Sequence, residues 1–415
     1  MKLVATPGGS FRGEAAIPGD KSCSHRALIL GALGEGVTRI TGLLESDDVL
    51  ATARAVAALG SSVERIGPGE WRVTGSRWTS PAEPIDCGNS GTTARLLLGA
   101  CAGIEGLAVT LTGDASLSKR PMRRVTAPLE RMGARFEGGD HLPIIVHGQR
   151  LGAIHHVNVP ASAQVKSALL LAGVTGRADV SVEEPVPSRD HTEIMLGQFG
   201  EPLSGCDLTI AADPSSAAFP SVAAAVIPGS EVSVRGLLVN PLRTGLYEVL
   251  EEMGADVTLT NEHVQSGEIV ADMTIRHAPL SPCHVTADRI PTMIDEVPVL
   301  AVACAFADGE SVIAGLDELR HKESDRLGAV VAGLVACGVA AVVDGDSLRI
   351  FGRGAVRGGG KVVTHGDHRI AMAFLALGLG ARQPVEVDEA GMIVTSFPAF
   401  VAVMQGLGAD IREAT

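Results

Sequence analysis

Six times along the chain a helical pattern closes on an apolar residue followed by glycine, and a strand-like segment comes next. The glycines are Gly60, Gly133, Gly200, Gly254, Gly338 and Gly408, separated by 73, 67, 54, 84 and 70 residues. Six equal shares of the sequence would be about 69 residues each, so the chain reads as six related supersecondary units. Glycine just past a helix suits the left-handed residue that closes it. The segments ahead of these glycines (46–59, 121–132, 188–199, 241–253, 324–337 and 396–407) have amphipathic spacing, several with a serine in capping position. Each unit holds a second predicted helix that is apolar almost all round, over 24–33, 92–102, 165–174, 215–227, 296–307 and 370–379. A helix without a polar face belongs in an interior. Alternating strands are predicted at 108–112, 144–147, 207–211 and 347–351.

The unit is therefore βαβαββ, with buried helices inside and sheets outside. A chain of 415 residues suits two domains of three units each. Repeat counting puts one domain at 15–212 and the other at 1–14 plus 213–415. Apolar residues make up 46% and charged ones 20%, a globular composition. No stretch approaches the roughly 20 apolar residues of a membrane span, and the first residues lack an export signal, so a cytoplasmic protein is expected. The seven cysteines stand singly without CxxC spacing, which suits a reducing compartment and predicts no metal. A net charge of −14 argues against nucleic-acid and anionic-membrane partners, and 3% aromatics leaves no stacking platform.

Basic chemistry must then be local, and it gathers where the inner helices begin. Gly19-Asp20-Lys21-Ser22 and Arg26 open the first, Asn89-Ser90-Gly91-Thr92 the second, Ser162-Ala163-Gln164 and Lys166 the third, Asp213-Pro214-Ser215 the fourth, Asp295-Glu296 the fifth, and Gly366-Asp367-His368-Arg369 the sixth. Helix N-termini carry unpaired N–H groups and a partial positive charge, so such ends can hold anions. The amphipathic helices add Lys119-Arg120, Ser188 and the run Lys322-Glu323-Ser324-Asp325-Arg326. Any one of these alone reads as a capped helix with a surface charge. Their recurrence at equivalent places points to a multiply charged small molecule. Asp295 and Glu323 can transfer protons there, or Asp295 caps its helix and Glu323 pairs with Lys322 or Arg326; the residues alone leave both open. No GxxxxGK[ST], GxGxxG or GxSxG motif offers another reading of the phosphate chemistry.

The ordered set PGDKSCSHRALIL, GNSGTTARLL, LTGDASLSKRPM, SAQVKSALLLAG, ELRHKESDRL, GDHRIAMAF and TSFP, spread from Pro18 to Pro398, resembles the 3-phosphoshikimate 1-carboxyvinyltransferases. The resemblance implies a two-domain inside-out α/β barrel of the enolpyruvyl transferase type, with the active site in an interdomain cleft, no cofactor, and a monomer. It implies phosphoenolpyruvate and shikimate 3-phosphate as substrates and catalysis by Asp295, Glu323 and Lys21. Shikimate 3-phosphate would be held by Lys21, Ser22, Arg26, Ser162, Ala163, Gln164, Lys166, Ser188, Asp295 and Lys322. Phosphoenolpyruvate would be held by Lys21, Gly91, Thr92, Arg120, Gln164, Arg326 and Arg369.

The pattern also departs from the family. Thr395 stands where many members carry a lysine, Ala163 where many have serine, and His191 where many have tyrosine. These features resemble the branch that includes glyphosate-tolerant enzymes, yet Gly91 occupies the position where tolerance is often associated with alanine, so sensitivity to glyphosate is expected. Two rival readings are UDP-N-acetylglucosamine enolpyruvyl transferase and a non-catalytic phosphometabolite binder of the same fold. The segment 117–120 lacks the reactive cysteine usual in the first, and intact Lys21, Asp295 and Glu323 argue against the second.

Overall fold

The computed structural model describes residues 1–414 and divides into two compact units. An inserted unit comprises Gly19–Ile210 with Gln265–Glu268; a terminal unit comprises Met1–Pro18, Ala211–Val264 and Ile269–Thr415. The inserted unit carries helices α1 (Lys21–Leu33), α2 (Asp47–Ala58), α3 (Gly91–Ala102), α4 (Arg123–Arg131), α5 (Ala163–Gly176) and α6 (His191–Phe199). The terminal unit carries α7 (Pro214–Val226), α8 (Gly245–Glu252), α9 (Val297–Phe306), α10 (Arg326–Ala336), α11 (His368–Gly380) and α12 (Phe400–Gly406).

All six glycines of the repeat lie in the left-handed region, with φ from 72° at Gly200 to 113° at Gly60, so a side chain there would be strained. The odd-numbered helices are the interior ones. Every residue of α7 and α9 is buried, because neither has a polar face to turn to water. In the terminal unit α7, α9 and α11 pack on one another; in the inserted unit α3 packs on α1 and α5. The approach of α3 to α5 is backbone to backbone, since a Cβ on Gly99 would fall 2.0 Å from the Ala168 carbonyl oxygen.

Six sheets flank these helices. The second unit runs as predicted: Ile85–Asp86 pairs in parallel with Ala108–Thr112, which pairs antiparallel with Ile144–His147, itself antiparallel to Arg135–Gly138. The fifth repeats this with His284–Val285, Asp308–Ile313, Ser347–Arg353 and Ala340–Asp344. Three other units are completed by a strand from elsewhere in the chain. Asp207–Thr209 joins Val37–Thr41, Arg12–Glu14 joins Glu231–Leu238, and Leu3–Thr6 lies between Val385–Val387 and Asp410–Glu413. The third has only Ile154–Val157 beside Val180–Glu183 and lacks the closing hairpin. That is why Gly200 and Gly254 are the closest pair in the repeat. The long hairpin Asp256–Gln265 and Glu268–Arg276 accounts for the widest gap that follows. Among the described residues no helix is long and apolar enough to cross a membrane.

Candidate active site

The inner helix ends are less open than the sequence suggests. Asp20, Asp213 and Asp367 cap α1, α7 and α11, each accepting a backbone N–H of its own helix (Cys23 at 2.7 Å, Ser215 and Arg369 at 2.9 Å). Ser90 caps α3 through the Thr93 N–H at 3.1 Å. Three positive helix ends thus already face a carboxylate, so anion binding falls mainly to side chains.

In the inserted unit Lys21 opens α1, and its Nζ is bonded to Asp48 of α2. One turn on, Arg26 is buried with every nitrogen engaged: Nε donates to Thr192 Oγ1 (2.7 Å), Nη1 to the Ser22 carbonyl (2.9 Å) and Nη2 to Ser167 Oγ (2.6 Å). Such a guanidinium is held in one orientation. At the start of α3, Gly91 leaves room for two arginines. A Cβ there would lie 3.2 Å from Arg120 Nη1 and 3.4 Å from Arg95 Nη1. Arg120 donates to Asn89 Oδ1 at 3.0 Å. Gln164, second residue of α5, ties the group together by donating to Thr92 Oγ1 (2.9 Å) and accepting from Arg95 Nη1 (2.5 Å).

Ser162 and Ala163 stand at the entry to α5, and Asn158 donates to the Ser162 carbonyl at 3.1 Å and to Glu184 Oε1 at 2.6 Å. Lys166 is bound to Glu184 (2.8 Å) and Glu193 (2.9 Å), and Ser188 Oγ donates to Glu184 Oε1 at 2.6 Å. Burial disfavours the Lys166 charge, but the two carboxylates outweigh it and raise its pKa. His191 is fully buried, with Nδ1 2.7 Å from Glu268 Oε1. With Asp20 and Cys23 it brings ligand atoms within 4.8 Å of one another, a grouping that offers nitrogen, sulfur and oxygen to a divalent metal.

The terminal unit gathers Asp295, Glu323, Lys322, Arg326 and Arg369. Arg326, the first residue of α10, is the hub. Its Nε donates to Asp367 Oδ2 at 2.8 Å, its Nη1 to Asp295 Oδ1 at 3.2 Å, and its Nη2 to Glu323. Burial disfavours this guanidinium, yet Asp367, Glu323 and Asp295 together push its pKa above the usual arginine value. Lys322 Nζ is 3.4 Å from the same Asp295 oxygen. Arg369 donates to the Asp295 carbonyl (2.9 Å) and to Glu296 Oε1 (3.3 Å), an oxygen that also receives the Ser215 hydroxyl. Thr395 is buried, donating to the Met392 carbonyl at 2.7 Å and lying 3.3 Å from His368 Nδ1.

So each unit assembles one part of the expected set. Lys21, Ser22, Arg26, Gly91, Thr92, Arg120, Ser162, Ala163, Gln164, Lys166 and Ser188 lie in the inserted unit, and Asp295, Lys322, Glu323, Arg326 and Arg369 in the terminal one. Sequence reasoning missed Asp48, Thr192, Ser167 and Glu184, and placed Asp367 and Glu296 at helix starts without their arginine partners.

A family profile described as EPSP synthase (3-phosphoshikimate 1-carboxyvinyltransferase) matches residues 5–404. The chain belongs to the EPSP synthase family. A 3-phosphoshikimate 1-carboxyvinyltransferase of Phenylobacterium zucineum (strain HLK1) is 51% identical, with 99% of this chain and 95% of that protein covered. One of Caulobacter vibrioides (strain NA1000 / CB15N) is 50% identical, with 99% of each covered. The solved EPSP synthase of Acinetobacter baumannii superposes with a TM-score of 0.87 at 38% identity, over 99% of this chain and 100% of that one. The enolpyruvyl transferase NikO of Streptomyces tendae has the same fold, with a TM-score of 0.78 at 18% identity over 99% of this chain and 98% of that one. The mixed α/β, six-sheet arrangement is therefore that of an EPSP synthase.

One buried group in this EPSP synthase family member predicts an acid-side loss of stability. His25 of α1 is fully buried, with Nδ1 2.7 Å from Thr52 Oγ1. Burial first, then the charges of Lys21 and Arg26, depress its pKa well below the ordinary 6.5. The unfolded chain takes up this proton near pH 6.5 and the folded chain does not. Stability is thus full above that pH and falls below it, by up to about 1.4 kcal/mol per pH unit. Urea midpoints at pH 7 and pH 5 check this: the wild type should fall more steeply than His25→Gln, and equal slopes would refute it.

Proposed function

We propose that this chain transfers the enolpyruvyl group of phosphoenolpyruvate to the 5-hydroxyl of shikimate 3-phosphate, giving 5-enolpyruvylshikimate 3-phosphate and phosphate. The reaction belongs to the shikimate pathway of aromatic amino acid biosynthesis. The observation that carries the reading is the match to the EPSP synthase family over residues 5–404.

In this reading Asp295 accepts the 5-hydroxyl proton as the oxygen attacks C2 of phosphoenolpyruvate, and Glu323 gives a proton to the methylene carbon. The tetrahedral adduct then loses phosphate as a methyl proton leaves, which restores the double bond. Lys21, Ser22, Arg26, Ser162, Ala163, Gln164, Lys166, Ser188, Asp295 and Lys322 hold shikimate 3-phosphate. Lys21, Gly91, Thr92, Arg120, Gln164, Arg326 and Arg369 hold phosphoenolpyruvate, and positioning with charge stabilisation does the rest. The rigid Arg26 cradle and the Arg95–Gln164–Thr92 chain support such positioning. We further place the protein in the cytoplasm, acting as a monomer.

The test mixes the purified protein with both substrates and measures phosphate. Wild type should release phosphate only when both are present, and Asp295→Ala should release it at most at a trace rate. Equal release by the variant, or release from phosphoenolpyruvate with UDP-N-acetylglucosamine instead, would overturn the reading.

A further inference from the structure

All seven cysteines are free thiols, and two of them meet in the terminal unit. The sulfurs of Cys283 and Cys304 are 3.5 Å apart although the residues are 21 positions apart in the chain. We propose that Cys283 and Cys304 form an oxidation site, at which a hydroperoxide joins the two thiols in an intramolecular disulfide.

The surroundings suit one fixed and one movable sulfur. Cys304 sits in the last turn of α9 and is fully buried. Its carbonyl accepts the Ala307 N–H at 3.2 Å and is packed so tightly that a Cβ on Gly352 would fall 2.6 Å from it. Cys283 lies in the connection just before the strand His284–Val285, half-buried beside exposed Ser281 and Pro282. Its main chain is fastened by the Val312 N–H at 2.9 Å and by Ser311 Oγ at 3.2 Å. A disulfide bond is about 2.05 Å long, so the sulfurs must close by roughly 1.5 Å, within reach of a turn of the Cys283 side chain.

The pair is also chemically unequal. The hydrogen bond shared with Cys304, opposed by burial and aided by Ser311, holds the Cys283 thiol below its ordinary value. The same bond, with burial, pushes Cys304 well up. Elsewhere burial raises Cys101 and Cys206 and takes Cys87 to about 12 and Cys337 to about 11. Cys283 is thus the reachable thiolate and Cys304 the resolving partner.

The Cys283 thiolate attacks one peroxide oxygen, forming an S–O bond as the O–O bond breaks; the departing hydroxide takes up a proton and leaves as water. Cys304 sulfur then attacks the resulting sulfenic sulfur, forming S–S as S–O breaks, and the second hydroxide carries off the Cys304 proton as water. Two thiols lose two electrons and one hydroperoxide is reduced. Cys304 is about 10 Å along α9 from its first residue, Val297, and Asp295 precedes that end, so the pair lies at the far end of the helix from Asp295.

The experiment treats the native full-length protein with hydrogen peroxide, blocks remaining thiols with N-ethylmaleimide under denaturing conditions, and maps the digest by mass spectrometry. The expected product joins the Cys283 and Cys304 peptides with the loss of two hydrogens and separates again with dithiothreitol. In Cys304→Ala, Cys283 should pass on to sulfinic acid, while phosphate release by untreated Cys283→Ser should equal that of wild type. Recovery of both cysteines as maleimide adducts, a sulfinic Cys283 in the wild type, or pairing of either with another cysteine would overturn the proposal.

Discussion

Arg326→Ala is expected to lower folding stability by about 3–5 kcal/mol, the loss typical when one partner of a buried ion group is removed. The side chain is 1% exposed and bonded to Asp367, Asp295 and Glu323, with Asp367 fully buried. Removing it leaves Asp367 in a low-dielectric interior without its arginine counter-charge. Arg326→Lys should recover only part, because an ammonium is a compact charge that cannot reproduce the planar fork reaching three acceptors.

The pH dependence separates this account from simple loss of packing. In the wild type burial alone would raise the Asp367 pKa, but Arg326 outweighs it and the net shift is downward. The Asp367 contribution is therefore present above the unfolded value of about 3.9 and lost as pH falls through the lower folded one. Without Arg326, burial and the nearby Glu323 charge outweigh the opposing His368, so Asp367 binds its proton more readily folded than unfolded, and the variant regains stability as pH falls toward about 4. The gap between wild type and variant in urea midpoint should thus narrow from pH 7 to pH 4. A constant gap would mean that packing, not charge, explains the loss.

The carboxylates that create this situation are what the sequence hid. The arginines and lysines were legible because they recur at the start of successive helices, a pattern with a period. Several of their partners come from remote positions: Asp48 is 27 residues from Lys21, Asp367 is 41 from Arg326, and Glu184 is 18 from Lys166. Pairing across a fold carries no period. A signal did exist for the capping acids, since Asp20, Asp213 and Asp367 stand just before inner helices of three different units. Read as caps, they would have shown that those helix ends were already neutralised.

The fold was more legible than the site, for the same reason. Helix closure is local, so Gly60, Gly133, Gly200, Gly254, Gly338 and Gly408 could be placed from neighbouring residues alone, and all six have the required positive φ. Strand exchange is not local. Nothing near Asp207–Thr209 announces that it completes the first sheet, nor near Leu3–Thr6 that it enters the last. Yet the missing third hairpin left a trace in the short Gly200–Gly254 interval, a length signal that survives where residue patterns do not.

Glu323→Gln should lower kcat by about 10²–10⁴-fold, the usual worth of a positioned proton donor, while leaving thermal stability nearly unchanged. The reason lies in what the substitution keeps. Glu323 accepts a hydrogen bond from Arg326 Nη2, and a glutamine carbonyl can accept the same bond. What it removes is the proton that the proposed mechanism delivers to the methylene carbon of phosphoenolpyruvate. Turnover in D₂O reads that step directly. Wild type should place deuterium in the vinyl group of the product, because the methyl group formed by addition returns one of its hydrogens on elimination. Glu323→Gln should lose label incorporation in step with kcat, and an unaltered rate of labelling would assign the proton to another group. If labelling and turnover both fell but the melting point fell with them, the defect would be structural and would point to the Arg326 network that Glu323 shares with Asp295 and Asp367.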